Sequence, residues 1–178
     1  MKTRAWIVTA CLAALAPAAA AQGMVQAHQD AGLGPNVGST TASADVEPDF
    51  DPVSSQLWVD MGYALDGVHG APLLTGGGVL AAASSAVIKL ENAKAYAPTV
   101  LLISDSFGPT PFKGGVLVPM PATLLMILRT QSDGTLELGF EWDAAVPSGL
   151  EIYLQFVIKD PAAAEGFALS NALVLHTP

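Results

Sequence analysis

Basic residues, cysteine and histidine are all scarce in this chain, and each scarcity removes a class of function. Seven lysines and arginines stand against sixteen aspartates and glutamates, a formal charge of −9. A surface of that sign repels phosphate backbones and anionic lipid, so no nucleic acid and no bare membrane are expected as partners. The one cysteine, Cys11, has no second thiol to pair with, so stability must come from core burial. The three histidines, His28, His69 and His176, lie far apart, whereas zinc motifs space their ligands by about three to five residues. No Gly-x-Ser-x-Gly elbow, phosphate loop or dinucleotide fingerprint is present. A catalytic role is accordingly not expected.

What is there begins with an export signal. Met1-Lys2-Thr3-Arg4 is a short basic start, and Ala5 to Ala16 is an almost unbroken apolar run. Pro17 ends the helical tendency, and Ala19-Ala20-Ala21 offers the small residues that a signal peptidase requires, placing the cut before Gln22. A membrane anchor is the competing reading, but this run is too short to cross about 30 Å of hydrocarbon at about 1.5 Å per residue. Val8-Thr9-Ala10-Cys11 resembles a lipoprotein cleavage box, yet cleavage there would leave an apolar region of about six residues, below the usual minimum of about seven. Removing residues 1–21 takes away Cys11, Lys2 and Arg4, leaving five basic side chains against sixteen acidic ones, a charge of −11. The expected product is exported to the periplasm, the cell surface or the medium, with no membrane insertion after cleavage.

Residues 22–54 show no sustained period and are rich in Gly, Ser, Thr and acidic residues, so they read as a flexible acidic linker. Within it Asp45, Glu47, Asp49 and Asp51 alternate, which would place four carboxylates on one face of an extended chain. Calcium needs several oxygens converging on one point, so these four are the candidate metal ligands. The run lacks the glycine of an EF-hand loop, and Pro48 keeps it extended, so a solvated acidic linker is the first reading.

From residue 55 to 178 the pattern is that of strands. Leu136, Leu138, Phe140 and Trp142 alternate with Glu137, Gly139, Glu141 and Asp143, the period of a half-buried strand. Leu150, Ile152, Leu154, Phe156 and Ile158 do the same against Glu151, Tyr153, Gln155, Val157 and Lys159. A third alternation sets Leu57, Val59, Met61, Tyr63 and Leu65 inward and Trp58 outward. Runs at 100–103, 123–128 and 172–175 are apolar throughout and read as central strands buried on both faces. Ala86 to Glu91 reads as a further strand, although alanines from Ala81 on also allow a helix, and Pro161 to Gly166 allows a helical turn. Ser132-Asp133-Gly134 reads as a hairpin turn, Pro147-Ser148-Gly149 as another. The expectation is an all-β fold: a single antiparallel β-sandwich of about eight or nine strands.

Exposed rings can stack on sugars, and alternation offers Trp58 and Tyr153 as candidate ligand-binding residues. Glu137, Glu141, Asp143 and Glu151 fall on outward positions of what look like adjacent strands, where a hydrolase would need two carboxylates across a cleft; acidic outward residues are equally expected of any acidic sandwich. His69 lies in Asp66-Gly67-Val68-His69-Gly70, which reads as a structural turn before a catalytic pair.

Two blocks carry a resemblance: Gly70-Ala71-Pro72-Leu73-Leu74-Thr75-Gly76-Gly77-Gly78-Val79-Leu80 and Pro111-Phe112-Lys113-Gly114-Gly115-Val116-Leu117-Val118-Pro119-Met120-Pro121. With Asp133-Gly134, Trp142, Pro147 to Leu150, Gln155 and Gly166 to Leu173, they resemble an uncharacterised secreted β-sandwich module found in exported proteins of planctomycetes and other environmental bacteria. The resemblance spans 57–175 and implies an extracellular module, commonly attached to repeat or adhesive regions, without assigning catalytic or binding residues. The expected function is a non-catalytic exported module for interaction or structure, with surface glycans or other extracellular proteins as plausible partners. Carbohydrate binding, with or without calcium, is the alternative, and a small hydrolase a third reading.

Overall fold

An extended chain that alternates apolar and polar side chains must lay one face against something dry. The computed structural model, which describes residues 57–178, meets that demand with sheets packed face to face. The expected signal peptide (1–21), the expected linker (22–54) and, within it, Asp45, Glu47, Asp49 and Asp51 lie outside the described residues. The strands are β1 (Trp58–Gly62), β2 (Leu73–Gly77), β3 (Ser85–Glu91), β4 (Pro98–Ser104), β5 (Thr110–Phe112), β6 (Gly115–Leu117), β7 (Leu124–Arg129), β8 (Leu136–Glu141), β9 (Glu151–Lys159), β10 (Phe167–Leu169) and β11 (Ala172–His176). One sheet runs β1-β11-β9-β4-β7, with β10 also paired to β9; a second runs β2-β3-β8; β5 and β6 form a small hairpin. Every pairing is antiparallel.

The core lies between the two main sheets. Leu74, Ile88, Leu90, Leu136 and Leu138 from the three-stranded sheet meet Leu101, Ile103, Ile152, Leu154, Phe156, Ile158, Leu173 and Leu175 from the larger one. Each such side chain contributes about 1.5–3 kcal/mol on burial, which is how a domain without a disulfide holds together. The all-β sandwich expected from alternation is the fold observed.

The larger sheet is covered on its other face too. Val118, Tyr153, Ala172 and Val174 form one cluster there, and Leu102, Leu117 and Leu169 form another, with Leu65, Val100, Phe112, Met120 and Val157 around it. The β5–β6 hairpin therefore acts as a partial third layer. Gln155, at the centre of this face, is fully buried. Its Oε1 accepts from the Val118 amide at 2.9 Å, and its Nε2 donates to the carbonyls of Val116 and Ser170, each at 3.1 Å.

Several expectations change for that reason. Alternation in β9 implied one wet face, but Tyr153 and Gln155 are buried and Val157 half-buried, so this strand is central on both sides. Run 123–128 was expected to be central and is instead the edge strand β7, with every second residue exposed. β4 and β11 are buried on both faces as expected. Residues 81–89 and 161–166 form no helix. The turns at 132–134 and 147–149 do reverse the chain, but β8 pairs only with β3, so each carries the chain from one sheet to the other and neither closes a hairpin. Turn chemistry specifies a reversal, not which strand pairs afterwards. The strands beyond the expected eight or nine are short ones such as β5, β6 and β10, three residues each.

Candidate functional site

The outward aromatics come first, because alternation offered Trp58 and Tyr153. Neither presents an open face: Trp58 is 8% exposed and Tyr153 7%. Trp58 points into the sandwich, where its Nε1 donates to the Gly78 carbonyl at 3.2 Å across to the other sheet. Alternation groups residues by face without saying which face is dry, and Gly76 leaves the Trp58 ring room on the core side. Val59, expected inward, is exposed.

Tyr153 lies beneath Phe107, with ring centroids 5.7 Å apart and planes at 49°. Its hydroxyl donates to Glu151 Oε2, and Glu151 Oε1 is 3.8 Å from His176 Nδ1. Burial first, then the Glu151 carboxylate, push the Tyr153 phenol up to about 12. The exposed ring of this group is Phe107, at 48%, which alternation does not reach because it sits in the loop between β4 and β5.

The carboxylates proposed for a cleft are separated. Glu137 and Glu141 belong to β8 and Glu151 to β9, which lie in different sheets. Asp143 closes a turn, accepting from the Ala145 amide at 2.8 Å. The loop around His69 is held by Asp160, whose Oδ2 accepts from the Val68 amide at 2.7 Å, while the His69 side chain is exposed. Among the described residues no group of three or more His, Cys, Asp and Glu is placed to hold a metal ion, and no helix is long and apolar enough to cross a membrane.

The surface feature that sequence reading missed is the open edge of β7. Thr130 donates its amide to the Ala97 carbonyl at 3.1 Å, and the β4–β7 register continues that pairing through Thr99↔Leu128 and Leu101↔Met126. In an antiparallel ladder, successive residues point their N–H and C=O groups to opposite sides. The backbone groups of Leu125, Ile127 and Arg129 thus face away from β4 and have no backbone partner among the described residues. On the outer face of the same strand Leu125 is 58% exposed and Ile127 85%. The register sets Ile127 beside Val100 and Val100 beside Val157, so the exposed pair continues a half-buried apolar row.

The other edges of the main sheets are blunted. In β1 the Asp60 carboxylate takes the Gly62 amide at 2.8 Å beside a break in register. In β2 Asn171 accepts from the Leu74 amide at 2.6 Å and donates back to the Leu74 carbonyl at 3.0 Å. β8 carries Glu137 and Glu141 on its exposed positions, and β10 is bridged by Leu65, whose amide donates to the Leu169 carbonyl at 3.0 Å. Bulges, charges and covering groups are the ordinary ways of protecting an edge. Among the described residues, Leu124 to Leu128 has none of them.

Comparison with protein-family models, with curated proteins and with solved structures finds no match for this chain. The blocks behind the resemblance do have structural work: Gly76 seats the Trp58 ring, Gln155 pins the outer layer, and Ser170 Oγ accepts from the Phe156 amide at 2.9 Å.

Proposed function

We propose that this chain is a non-catalytic exported module that works by contact with another extracellular or cell-surface protein, and that the contact is made through β7. The observation that carries this reading is the pairing of free backbone groups with Leu125 and Ile127 exposed on one strand, at 58% and 85%. Exposed apolar surface next to an unpaired edge is costly to leave open and is the usual mark of an interaction site. Export follows from the basic start, apolar run and alanine-rich cut of residues 1–21. The test is localisation in producing cells. The wild-type chain is expected in the cell-surface fraction, and Ile127→Glu, folded to the same degree by circular dichroism, in the medium. Equal distribution of the two overturns the reading.

A second reading, glycan binding, is favoured by Phe107, an exposed ring backed by Tyr153 with the Glu151 carboxylate close by. Thermal melting of residues 22–178 across a glycan panel, with and without calcium, tests it. A rise of several degrees with one sugar, lost in Phe107→Ala, supports this reading, and no rise removes it.

A further inference from the structure

We infer that the β7 edge takes an extended peptide strand that is apolar on one side and carries carboxylates on the other, adding it to the six-stranded sheet. This rests on the reading of β7 as the interaction edge and goes on to name the chemistry of what binds there.

The argument is one of charge as well as shape. The mature chain has five basic side chains, and two of them, Arg129 and Lys159, stand on the same outer face as Leu125 and Ile127. Arg129 pairs with Pro98 in the register of β4 and β7. One residue beyond the Thr99↔Ile158 pair, Pro98 lies beside Lys159. The two cations are therefore in one cross-strand row, two strand spacings or about 10 Å apart, with only the short ring of Pro98 between them. Both are exposed, and neither makes an ion pair among the described residues, where the pairs formed are Lys89 with Glu91 and His176 with Glu151. The described residues hold carboxylates in plenty, yet none of those closes on these two.

A strand laid against β7 would meet three kinds of surface. Its backbone would pair with the free groups of Leu125, Ile127 and Arg129. Side chains on its inner side would extend the row of Leu124, Met126 and Leu128, which pack against the sandwich core. Side chains on its outer side would run past Ile127 and end beside Arg129, within reach of Lys159, where a carboxylate gains from both. Main-chain hydrogen bonds supply affinity in such strand addition, and the alternating side chains supply selection.

The test uses residues 22–178 and three blocked heptapeptides, EVEVTVT, SVSVTVT and KVKVTVT, titrated by NMR. The expected result is that EVEVTVT binds at least tenfold more tightly than SVSVTVT, that KVKVTVT does not bind, and that the amides of Leu125, Ile127 and Arg129 become protected from exchange. Ile127→Pro removes an outward amide without removing a β4–β7 hydrogen bond, and is expected to abolish binding. Ile127→Glu, which leaves the backbone intact but sets a carboxylate on the same outer face, is expected to weaken EVEVTVT at least tenfold. Arg129→Glu is expected to reverse the preference towards KVKVTVT. Equal binding of EVEVTVT and SVSVTVT, lost in Ile127→Pro, overturns the acidic partner and leaves the edge as the interaction site. Absence of all binding overturns both. A wild-type dimer that Ile127→Pro converts to monomer also overturns the proposal, since a second copy would then be the occupant.

Discussion

The indole of Trp58 lies against Gly76, so close that a β-carbon built at position 76 would sit 2.0 Å from Cε3 of the ring. Trp58 is in β1 of the larger sheet and Gly76 in β2 of the smaller one, so this contact fastens the two sheets at one corner. The Nε1 hydrogen bond to the Gly78 carbonyl fixes the ring's orientation. Gly76→Ala is expected to force the ring out and destabilise the domain by about 1–3 kcal/mol. For a domain of this size that is a drop in Tm of several degrees, read by calorimetry. Trp58→Ala, which leaves a cavity, should cost about 3–5 kcal/mol, and the double variant should cost less than the sum of the two.

Gln155 satisfies three backbone groups on two segments, Val116 and Val118 at β6 and Ser170 between β10 and β11. Gln155→Leu keeps the volume but leaves the Val118 amide and the Val116 and Ser170 carbonyls without their partner. A buried group left unpaired costs about 1–3 kcal/mol, so a loss of several kcal/mol is expected in urea denaturation. If the loss is under about 1 kcal/mol, water has replaced the amide and the outer layer is looser than described.

Asn171 pairs with both backbone groups of Leu74 and so occupies the edge of β2. Asn171→Ala is expected to accelerate hydrogen exchange at the Leu74 amide by at least tenfold, with little change at the amide of Leu90, its partner in β3. Slow exchange at Leu74 in the variant would show that the edge is protected by something other than the side chain.

Tyr153 gives the stability a dependence on alkaline pH. Its folded-state phenol is raised to about 12 by burial first and then by the Glu151 carboxylate, against about 10 in an unfolded chain. The folded state therefore holds the proton that the unfolded state loses between about pH 10 and 12. The stabilisation is complete below about pH 10 and falls as pH rises through that window. Tyr153→Phe should flatten this part of the pH profile, and the difference between the absorbance titrations of wild type and Tyr153→Phe should place the lost phenol's ionisation at about 12. A difference titration centred at about 10 would contradict the burial and carboxylate contact of Tyr153.

Much of the fold is legible in the sequence because a strand's period is local. The alternation of Leu136, Leu138 and Phe140 with glutamates and glycine places β8 and its wet face, and the apolar runs of β4 and β11 announce strands covered on both sides. The signal for Tyr153 and Gln155 is present but ambiguous, because a polar residue at an outward position looks the same whether water or a third layer covers it. Phe107 and the open edge carry no periodic signal at all.

Composition and local pattern alone determined that this is an acidic, cysteine-poor chain whose later part must be built of strands, since charge, thiol count and period are properties of the residues themselves. Which strands pair, and therefore which stand at an edge, was decided only in three dimensions. Leu124 to Leu128 reads as a buried central strand by every local measure, and it lies at the rim because β4 takes β9 on its other side and the chain then crosses to β8 in the opposite sheet. An edge is defined by the absence of a neighbour, which no single segment encodes. The same holds for Trp58: its parity within β1 depends on the glycines of β2 that make room for it.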